Sequence, residues 1–454
     1  MSKKKPALVA AAVALPLLLM LGGCAPGSAG GSHAANTATA SKDVAKEGKV
    51  TLKLLDYFQG DESKWMNQVI AGFEKKYPTV KVKRTVQDWG QVMSTLNLRM
   101  ANANGPDIAT VNNGWQSMGT LAKGGLILNL DAYSKLYGWN KEIPATMLRQ
   151  LEFTPDGKTM GSGSLYAAPT ARSSLIGLYY NKKVLESAGL SVPKTFADFE
   201  SDAKALKAAG KTPIAYGSLD KDSSTALLFA VQDVYGTANN IGDFVYDSKK
   251  LPIGDTGLTQ AATTVKQWAD DGWFSKNYAG LQVTDAQQQF LDGKAAFRFD
   301  YTGSYAFTTA QKADYGYLQL PQADGSGVVG TGSPSGNFSI SSKTKYPNAA
   351  AAFLNYMTSK TAAQLAVDHG FLPLLHSGLN VPSDNAEFAT EVAGQQSLDS
   401  GNGYVPYFDW STPTMLDTLG GQLQSLLAGR VTPAQLAAAG QADYDKFQQS
   451  RTNG

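Results

Sequence analysis

Three short stretches of the sequence combine an aromatic ring with an amide or acidic side chain. A flat ring can stack against an apolar face of a ligand, and carboxylates and amides can form hydrogen bonds with its polar groups. The residue types therefore indicate recognition of a small molecule. The stretches are Asp56-Tyr57-Phe58-Gln59, Gln87-Asp88-Trp89 and Asn112-Asn113-Gly114-Trp115-Gln116.

Each stretch follows a predicted β-strand. Apolar residues alternate with polar ones from Val50 to Leu54, and a helix with Ser63 as its N-cap is expected to end before Pro78. Further along lie predicted strands at Val80–Val86 and Asp107–Val111, separated by a helix near Gln91–Ala103. This β-α-β-α-β order predicts a mostly parallel sheet, and ligands bind such sheets beyond the carboxyl ends of the strands.

Later segments repeat the pattern and predict a second α/β lobe. The expected strands are Leu175–Tyr180, Pro213–Gly217 and Ala295–Phe299. The expected helices are Thr195–Ala209, Ser223–Tyr235, Gly257–Asp271, Ala349–Thr358, Thr361–His369, Pro413–Ala428 and Pro433–Phe447.

The N-terminus has the charge layout of an export signal. Lys3, Lys4 and Lys5 precede a stretch without charged residues, and the apolar part is too short to span a membrane comfortably. Leu21-Gly22-Gly23-Cys24 resembles the lipobox of bacterial lipoproteins, although Cys24 could also be an incidental residue beside an ordinary cleavage site. We predict a signal peptide at 1–23, lipidation of Cys24 and a flexible tether at 24–48, rich in Ala, Gly, Ser and Thr.

Composition excludes several classes of function. Cys24 is the single cysteine in 454 residues, so the mature chain forms neither an internal disulfide nor a thiolate metal site. Without the three signal lysines, 37 of the 40 basic residues remain against 38 acidic ones, a net charge of about −1. A near-neutral chain without basic runs argues against binding nucleic acid.

Catalysis and cofactor binding are poorly supported by the sequence. Three histidines, one of them in the tether, do not support a zinc site or a Ser-His-acid triad, and we expect no metal and no cofactor. Gly325 to Gly330 matches G-x-G-x-x-G, but Ser333-Pro334 follows where a nucleotide site requires a helix. We interpret this segment as a loop beside a hinge.

Several ordered motifs carry a resemblance to a known family. They are Phe73-Glu-Lys-Lys-Tyr-Pro78, Gly105-Pro-Asp-Ile108, Leu178-Tyr-Tyr-Asn-Lys182 with Pro193-Lys-Thr195, Gly293-Lys-Ala-Ala296, and Tyr346-Pro-Asn-Ala-Ala350 with Phe353-Leu354. From Val50 to Phe447 the chain resembles the extracellular solute-binding proteins of ABC uptake transporters, in the sugar-binding group that includes maltose-binding protein. Gly303-Ser304-Tyr305 departs from the Gly-x-Trp frequent in that group, so the identity of the sugar does not carry over.

The resemblance implies a two-lobed periplasmic-binding-protein-like α/β fold, with a discontinuous chain and the ligand in the interlobe cleft. Lobe one would comprise 49–168 plus 333–370, and lobe two 173–330 plus 376–454. The hinge is expected near 168–173, 330–335 and 370–375.

For a sugar, rings would stack on C–H faces and short polar side chains would bind hydroxyls. Trp65, Trp139, Trp268 and Trp273 are assigned to packing, because they lie in or beside predicted helices. Arg172 could instead pair with an acid across the hinge. The candidate ligand contacts are Asp56, Phe58, Asp88, Trp89, Asn113, Trp115, Gln116, Arg172, Ser218, Asp220, Asp300, Tyr301, Tyr305, Tyr404 and Trp410.

The predicted function is capture of a mono- or oligosaccharide by a monomeric, non-enzymatic lipoprotein on the outer face of the cell membrane. The permease subunits would be separate chains, and lipid at Cys24 would be the membrane contact. One alternative is the same fold with a peptide, polyamine or other small solute as ligand. Another is a lipid-anchored glycoside hydrolase that uses Asp56, Asp88 or Asp300 as acid and base, although no eightfold β/α repeat is present.

Overall fold

The described chain builds two large β-sheets and one small two-stranded sheet, and it passes between the two large sheets three times. The structure, a computed structural model, describes residues 39–305, 307–308, 310–374, 378–382 and 385–452, without the side chains of 222, 223 and 452. Cys24, the predicted signal peptide and His376 lie outside the described residues. We call the first sheet with residues 44–169 and 337–368 lobe one, and the second sheet with residues 173–334 and 386–452 lobe two.

Lobe one begins with the predicted alternation of strands and helices. These elements are β1 (Val50–Asp56), α1 (Gly60–Lys76), β2 (Val80–Val86), α2 (Trp89–Ala101) and β3 (Ile108–Val111). Helix α1 buries Trp65, Met66, Val69 and Phe73 at helical spacing, which fixes the face that packs inward. It begins at Gly60 rather than after Ser63, whose hydroxyl instead accepts a hydrogen bond from Nη1 of Arg84 at 2.7 Å.

The rest of lobe one covers and extends this sheet. After β3 come α3 (Met118–Lys123), α4 (Asp131–Tyr137), α5 (Trp139–Glu142), α6 (Ala145–Arg149), β4 (Glu152–Phe153), β5 (Ser164–Leu165) and β6 (Ala168–Pro169).

Lobe two contains most of the remaining chain. Its elements up to the second passage are β7 (Ser173–Asn181), α7 (Lys182–Glu186), α8 (Phe196–Ala208), β8 (Thr212–Ile214), α9 (Lys221–Tyr235), α10 (Ala238–Tyr246), α11 (Leu258–Asp270), α12 (Val283–Leu291), β9 (Ala295–Tyr301), β10 (Tyr315–Leu318) and β11 (Gly330–Pro334). Helix α8 starts at a capping box in which Thr195 and Asp198 satisfy each other's backbone N–H groups, a signal that is local in sequence.

The chain then returns to lobe one and finally to lobe two. Lobe one gains β12 (Asn337–Ile340), α13 (Pro347–Met357) and α14 (Lys360–Asp368). Lobe two gains α15 (Ala386–Gly401), β13 (Tyr404–Val405), α16 (Met415–Leu427) and α17 (Pro433–Thr452). Short 3-10 helices lie at Val44–Glu47, Ile253–Thr256, Tyr278–Gly280 and Phe408–Ser411.

The two sheets differ in strand direction. The first has the order β2-β1-β3-β12-β6; β1 pairs in parallel with both β2 and β3, as predicted, whereas β12 is antiparallel to both β3 and β6. The second has the order β13-β11-β7-β9-β8, with β10 also on β7. Its central strand β7 is antiparallel to β9, β10 and β11, whereas β8 with β9 and β11 with β13 are parallel pairs.

The buried tryptophans confirm their assignment to packing. Trp65, Trp139, Trp268 and Trp273 are all buried in the apolar core. The segment that matches G-x-G-x-x-G turns back on itself, since Pro321 and Val328 form an antiparallel bridge, and strand β11 follows it. That arrangement confirms a loop rather than a nucleotide site. In the part of the chain that the structure describes, every helix is too short or too polar to cross a membrane.

Candidate ligand-binding site

A cavity of about 730 Å³ lies between the two lobes. The carboxyl ends of β1, β2 and β3 open toward it, because Tyr57, Trp89 and Asn112, which follow these strands, all line its wall. Lobe two closes the other side with residues from β7, β9, α9, α16 and the 3-10 helix Phe408–Ser411. Ser335 and Gly336, in the passage from β11 to β12, line the cavity as well.

Aromatic rings form both walls of the cavity. On lobe one, the rings of Tyr57 and Trp89 meet edge to face with their centroids 4.8 Å apart. On lobe two, Tyr407 lies nearly parallel to Tyr301 at 6.2 Å and is tilted against Trp410 at 4.9 Å. Each ring is held by a neighbour, so the walls present preformed apolar surfaces.

Amide and hydroxyl groups fill the spaces between these rings. Asn112 and Gln116 follow β3, and the Nδ2 of Asn112 donates to the Oε1 of Gln116 at 3.4 Å. Asn337, the first residue of β12, donates through Nδ2 to the Oδ1 of the buried Asn113 at 2.9 Å. Asn113 itself does not line the cavity, but it holds in place an amide that does.

Burial raises the pKa of two of the cavity phenols. Desolvation raises the pKa of Tyr57 far above its ordinary value, and the Glu62 carboxylate adds to this. Desolvation likewise raises the pKa of Tyr407, against hydrogen bonds from Ser174 and Ser333 that lower it. Both hydroxyls are therefore hydrogen-bonding groups without charge at neutral pH.

Four of the candidate contacts line the cavity: Trp89, Gln116, Tyr301 and Trp410. Trp89 is 38% exposed, whereas the other tryptophans are buried. Asp88 lies at the exposed start of α2 and accepts a hydrogen bond from Nε2 of Gln59 at 2.8 Å. Tyr404 lies in β13, outside the cavity lining.

Three acidic or basic candidates are buried behind the walls as ion pairs. Asp56 accepts two hydrogen bonds of 2.7 Å from Arg84, and Arg298 lies 2.8 Å from Asp300. Arg172 pairs with Glu62 at 2.7 Å and covers the ring of Phe371, with 3.9 Å from guanidinium carbon to ring centre. Arg172 therefore pairs with an acid, as the alternative interpretation expected, and it does not line the cavity.

The remaining candidates pack in the core or form hydrogen bonds within the protein. The ring of Phe58 is fully buried against Trp65 and Phe338, and the hydroxyl of Tyr305 donates to Asp300 at 2.9 Å. Ser218 is buried beside Tyr278, and Asp220 accepts from the backbone N–H of Val283 at 2.8 Å.

Trp115 forms a contact between the lobes beside the cavity. The centroid of its ring lies 5.1 Å from the ring centroid of Phe153 and 5.0 Å from that of Phe447 in α17. The Arg451 guanidinium carbon lies 5.0 Å from the centre of the same ring. A second contact of this kind places the Arg149 guanidinium 4.0 Å from the ring centre of Tyr246. The ring of Trp115 is thus buried among protein groups and lies outside the cavity lining.

The sequence analysis missed several cavity residues that lie next to chosen ones. Tyr57 lies between the candidates Asp56 and Phe58, and Asn112 directly precedes Asn113. Tyr407 and Asp409 belong to the segment that ends at the chosen Trp410. The other missed lining residues are Gly90, Met93, Ser94, Val111, Ser174, Thr225, Phe229, Ser333, Pro334, Ser335, Gly336, Asn337 and Leu416.

The fold and parts of the sequence are shared with known proteins. A chitin oligosaccharide binding protein superposes with a TM-score of 0.73 at 21% identity, covering 88% of this chain and 99% of that protein. The multiple sugar-binding protein of Streptococcus mutans is 27% identical over 356 residues, 76% of this chain and 79% of the relative. The sn-glycerol-3-phosphate-binding periplasmic protein UgpB of Rhizobium meliloti is 25% identical over 344 residues, 72% of this chain and 69% of the relative.

A family model spans most of the folded chain. It matches residues 59–364, which include most strands of both large sheets and the first two passages between them. The two-lobed architecture with a cavity between the lobes agrees with this match. The chain belongs to the bacterial extracellular solute-binding proteins.

Proposed function

We propose that this protein captures a carbohydrate between its lobes and delivers it to an ABC-type importer. The observation that carries the proposal is the pair of aromatic walls, Tyr57 with Trp89 on lobe one and Tyr301 with Tyr407 and Trp410 on lobe two. Sugar rings present C–H faces on both sides, so facing aromatic walls suit them. The neutral amides of Asn112, Gln116 and Asn337 suit the hydroxyl rim.

The cavity dimensions and the relatives support a saccharide of one or more rings. A volume of about 730 Å³ falls in the range of pockets that enclose drug-sized ligands. The chain is similar to a protein named for binding multiple sugars and, in fold, to one named for binding chitin oligosaccharides. As a solute-binding protein the chain is not an enzyme, which confirms that prediction.

Capture and delivery follow from the position of the cavity. A ligand that touches both walls stabilises the arrangement in which the lobes are close, because only that arrangement provides both sets of contacts. The permease, on separate chains, would recognise this closed form. Lipidation of Cys24 would keep the monomer near the transporter, and loss of membrane association in Cys24→Ala cells, measured by fractionation, would support that anchor.

A peptide, a polyamine or another small solute remains an alternative ligand for the same fold. A peptide or polyamine would use the same cleft, and other relatives are named for binding glycerol phosphate. Thermal-shift screening against saccharides, peptides and amines distinguishes these classes, because a ligand that binds only the folded state raises the unfolding temperature, and more so the further its concentration exceeds its Kd.

Substitution of one ring tests the proposed site. We expect Trp89→Ala to weaken binding of the best saccharide at least about tenfold, since lost stacking and burial exceed about 1.4 kcal/mol. Leu98→Ala is the matched control, because Leu98 is on the same helix but 79% exposed and outside the cavity. Equal affinities of both variants by calorimetry would show that the ligand binds elsewhere.

A further inference from the structure

Helix α15 buries a row of three polar side chains. Glu387, Glu391 and Gln395 follow one another at intervals of four residues, about one helical turn, and each is 6% exposed or less. Nε2 of Gln395 donates to Oγ of Ser173 at 2.9 Å and to the backbone oxygen of Pro373 at 3.1 Å, at the first and third passages between the lobes. Buried polar groups require partners, so the partners of the two glutamates indicate what these side chains do.

Glu391 is connected to both ends of the turn that follows β9. Its Oε1 accepts a hydrogen bond from the hydroxyl of Tyr179 in β7, and another from the backbone N–H of Gly303 at 3.4 Å. The Tyr179 hydroxyl also lies 3.4 Å from the backbone oxygen of Tyr301, the last residue of β9. Tyr301 lines the cavity, and its ring lies nearly parallel to that of Tyr407. One buried carboxyl group thus contacts the turn that carries a ring of the cavity wall.

The carboxyl group of Glu387 forms a hydrogen bond with that of Glu391. Such a bond requires a proton on one of the two groups, because an ionised carboxylate only accepts. Lys312, in the segment before β10, lowers the pKa of Glu387, but burial and the charge of Glu391 outweigh it and raise that pKa well above its ordinary value. Burial also raises the pKa of Glu391. Two buried carboxyl groups in contact do not both ionise at neutral pH.

The titratable groups that face this pair from the adjoining strands are phenols. Tyr179 and Tyr180 belong to β7, and Tyr317 belongs to β10. Burial raises the pKa of each above its ordinary value of 10.0, and the charge of one or both glutamates adds to the rise. These phenols therefore carry no charge at neutral pH that could replace the proton between the two carboxyl groups.

We propose that Glu387 and Glu391 share one proton, and that this proton keeps the turn after β9 and the ring of Tyr301 in the position that binds the saccharide. This inference rests on the proposed carbohydrate function and concerns the regulation of the same site. When the proton is lost, two buried carboxylates repel each other and the acceptor for the Gly303 N–H is displaced. The folded pair holds its proton more tightly than the unfolded chain, so its contribution is lost as the pH rises. Saccharide binding should therefore weaken in alkaline solution.

Calorimetry at pH 7 and pH 10 tests this with the best-binding member of a mono- to tetrasaccharide series of glucose, galactose and N-acetylglucosamine. The wild-type affinity should fall at least about fivefold between the two pH values, because repulsion between buried like charges is poorly screened. Glu387→Gln donates from its amide in place of the shared proton and does not titrate. It should bind like the wild type at pH 7 and lose less than about twofold at pH 10, since the repulsion is absent.

Glu186→Gln is the matched control, because Glu186 is exposed at the end of α7 in lobe two and lies outside the cavity lining. It should show the wild-type fall in affinity. The lysines that titrate near pH 10 are common to all these proteins, so the comparison cancels their effect. Glu391→Ala removes the acceptor and should weaken binding at pH 7 by about fivefold or more, the loss expected for a displaced ring contact; if it does not fold, the Glu387→Gln comparison still decides.

The outcomes separate this inference from the function on which it rests. Urea unfolding at both pH values, without ligand, reports whether the shared proton supports the fold. If no saccharide binds the wild-type protein at pH 7, the carbohydrate function is wrong and the inference fails with it. If the wild type and Glu387→Gln lose affinity equally at pH 10, the function stands and the shared proton has no role at the site. If only their unfolding profiles differ, the proton stabilises the fold without positioning Tyr301, which also overturns the inference.

Discussion

The Arg298–Asp300 ion pair gives the sharpest test of how the cavity wall is supported. Both side chains are about 4% exposed, and Asp300 also accepts hydrogen bonds from Gln287 at 3.0 Å and Tyr305 at 2.9 Å. Burial opposes ionisation, but the charge and hydrogen bonds of Arg298 outweigh it, so the pKa of Asp300 lies below its ordinary value. Asp300→Asn keeps the shape and removes the charge.

The expected loss in the free energy of unfolding depends on how Arg298 is left when its partner carboxylate is removed. With Asn at position 300 the guanidinium stays buried without a counterion, and breaking a buried pair in this way costs about 3 kcal/mol or more. Arg298 keeps one hydrogen bond, from Nη1 to the backbone oxygen of Ala215 at 3.1 Å, which limits the loss. We expect the free energy of unfolding in urea at pH 7 to fall by roughly 3 kcal/mol.

A matched control, Asp292, lies eight residues before Asp300. Lys294 and Asp292 form a pair with the same spacing and the same 2.8 Å distance, but both side chains are largely solvated. Asp292→Asn should therefore leave the unfolding midpoint unchanged within error. The Asp300 variant should also approach the wild type as the pH falls, because a lowered folded pKa gives stability that is lost below the ordinary value of 3.8. Equal effects of the two substitutions would refute a supporting role for the buried pair.

Two further predictions concern the walls of the cavity. Asp233 accepts hydrogen bonds from Thr331 in β11, and burial raises the pKa of its carboxyl group to about 7. The stability that the protonated carboxyl group contributes is therefore lost as the pH rises toward 7. Asp233→Asn should reduce the fall in urea midpoint between pH 5 and pH 8, and an unchanged pH profile would contradict this. Gly114, at φ 81°, leaves room for Trp410, since a Cβ at position 114 would lie 2.6 Å from the Cβ of Trp410. Gly114→Ala should therefore displace Trp410 in the cavity wall and weaken saccharide binding, measured by calorimetry. Gly138→Ala, with similar positive φ but open space around it, should destabilise the fold only through backbone strain and should leave the affinity unchanged.

The local part of the fold could be predicted from the sequence. Alternation in β1, helical spacing in α1 and the cap of α8 are signals within a few residues of each other, and these elements form as expected except that α1 begins at Gly60, before the expected N-cap Ser63. The direction of pairing in the second sheet is not a local property. Strand β7 meets β9 and β10, which follow it by more than 100 residues, and no short pattern encodes that choice.

The sequence indicated which segments lie at the cavity, but it indicated less well which residues of those segments line it. Neighbouring residues at a strand end point in opposite directions, so Tyr57 faces the cavity while Phe58 fills the core. The acids Asp56 and Asp300 look like ligand contacts in sequence, but Arg84 and Arg298 engage them inside the protein. Only the folded arrangement shows which acids are already paired.

The exposure of Trp89 gives the protein an intrinsic fluorescent reporter of occupancy. The other six tryptophans are 6% exposed or less, whereas Trp89 is 38% exposed in the cavity wall. A soluble quencher such as acrylamide should therefore reach one indole, and a ligand stacked on that ring should shield it. Collisional quenching would then follow binding in the unlabelled native chain, and the emission lost in Trp89→Phe would identify the source of the signal.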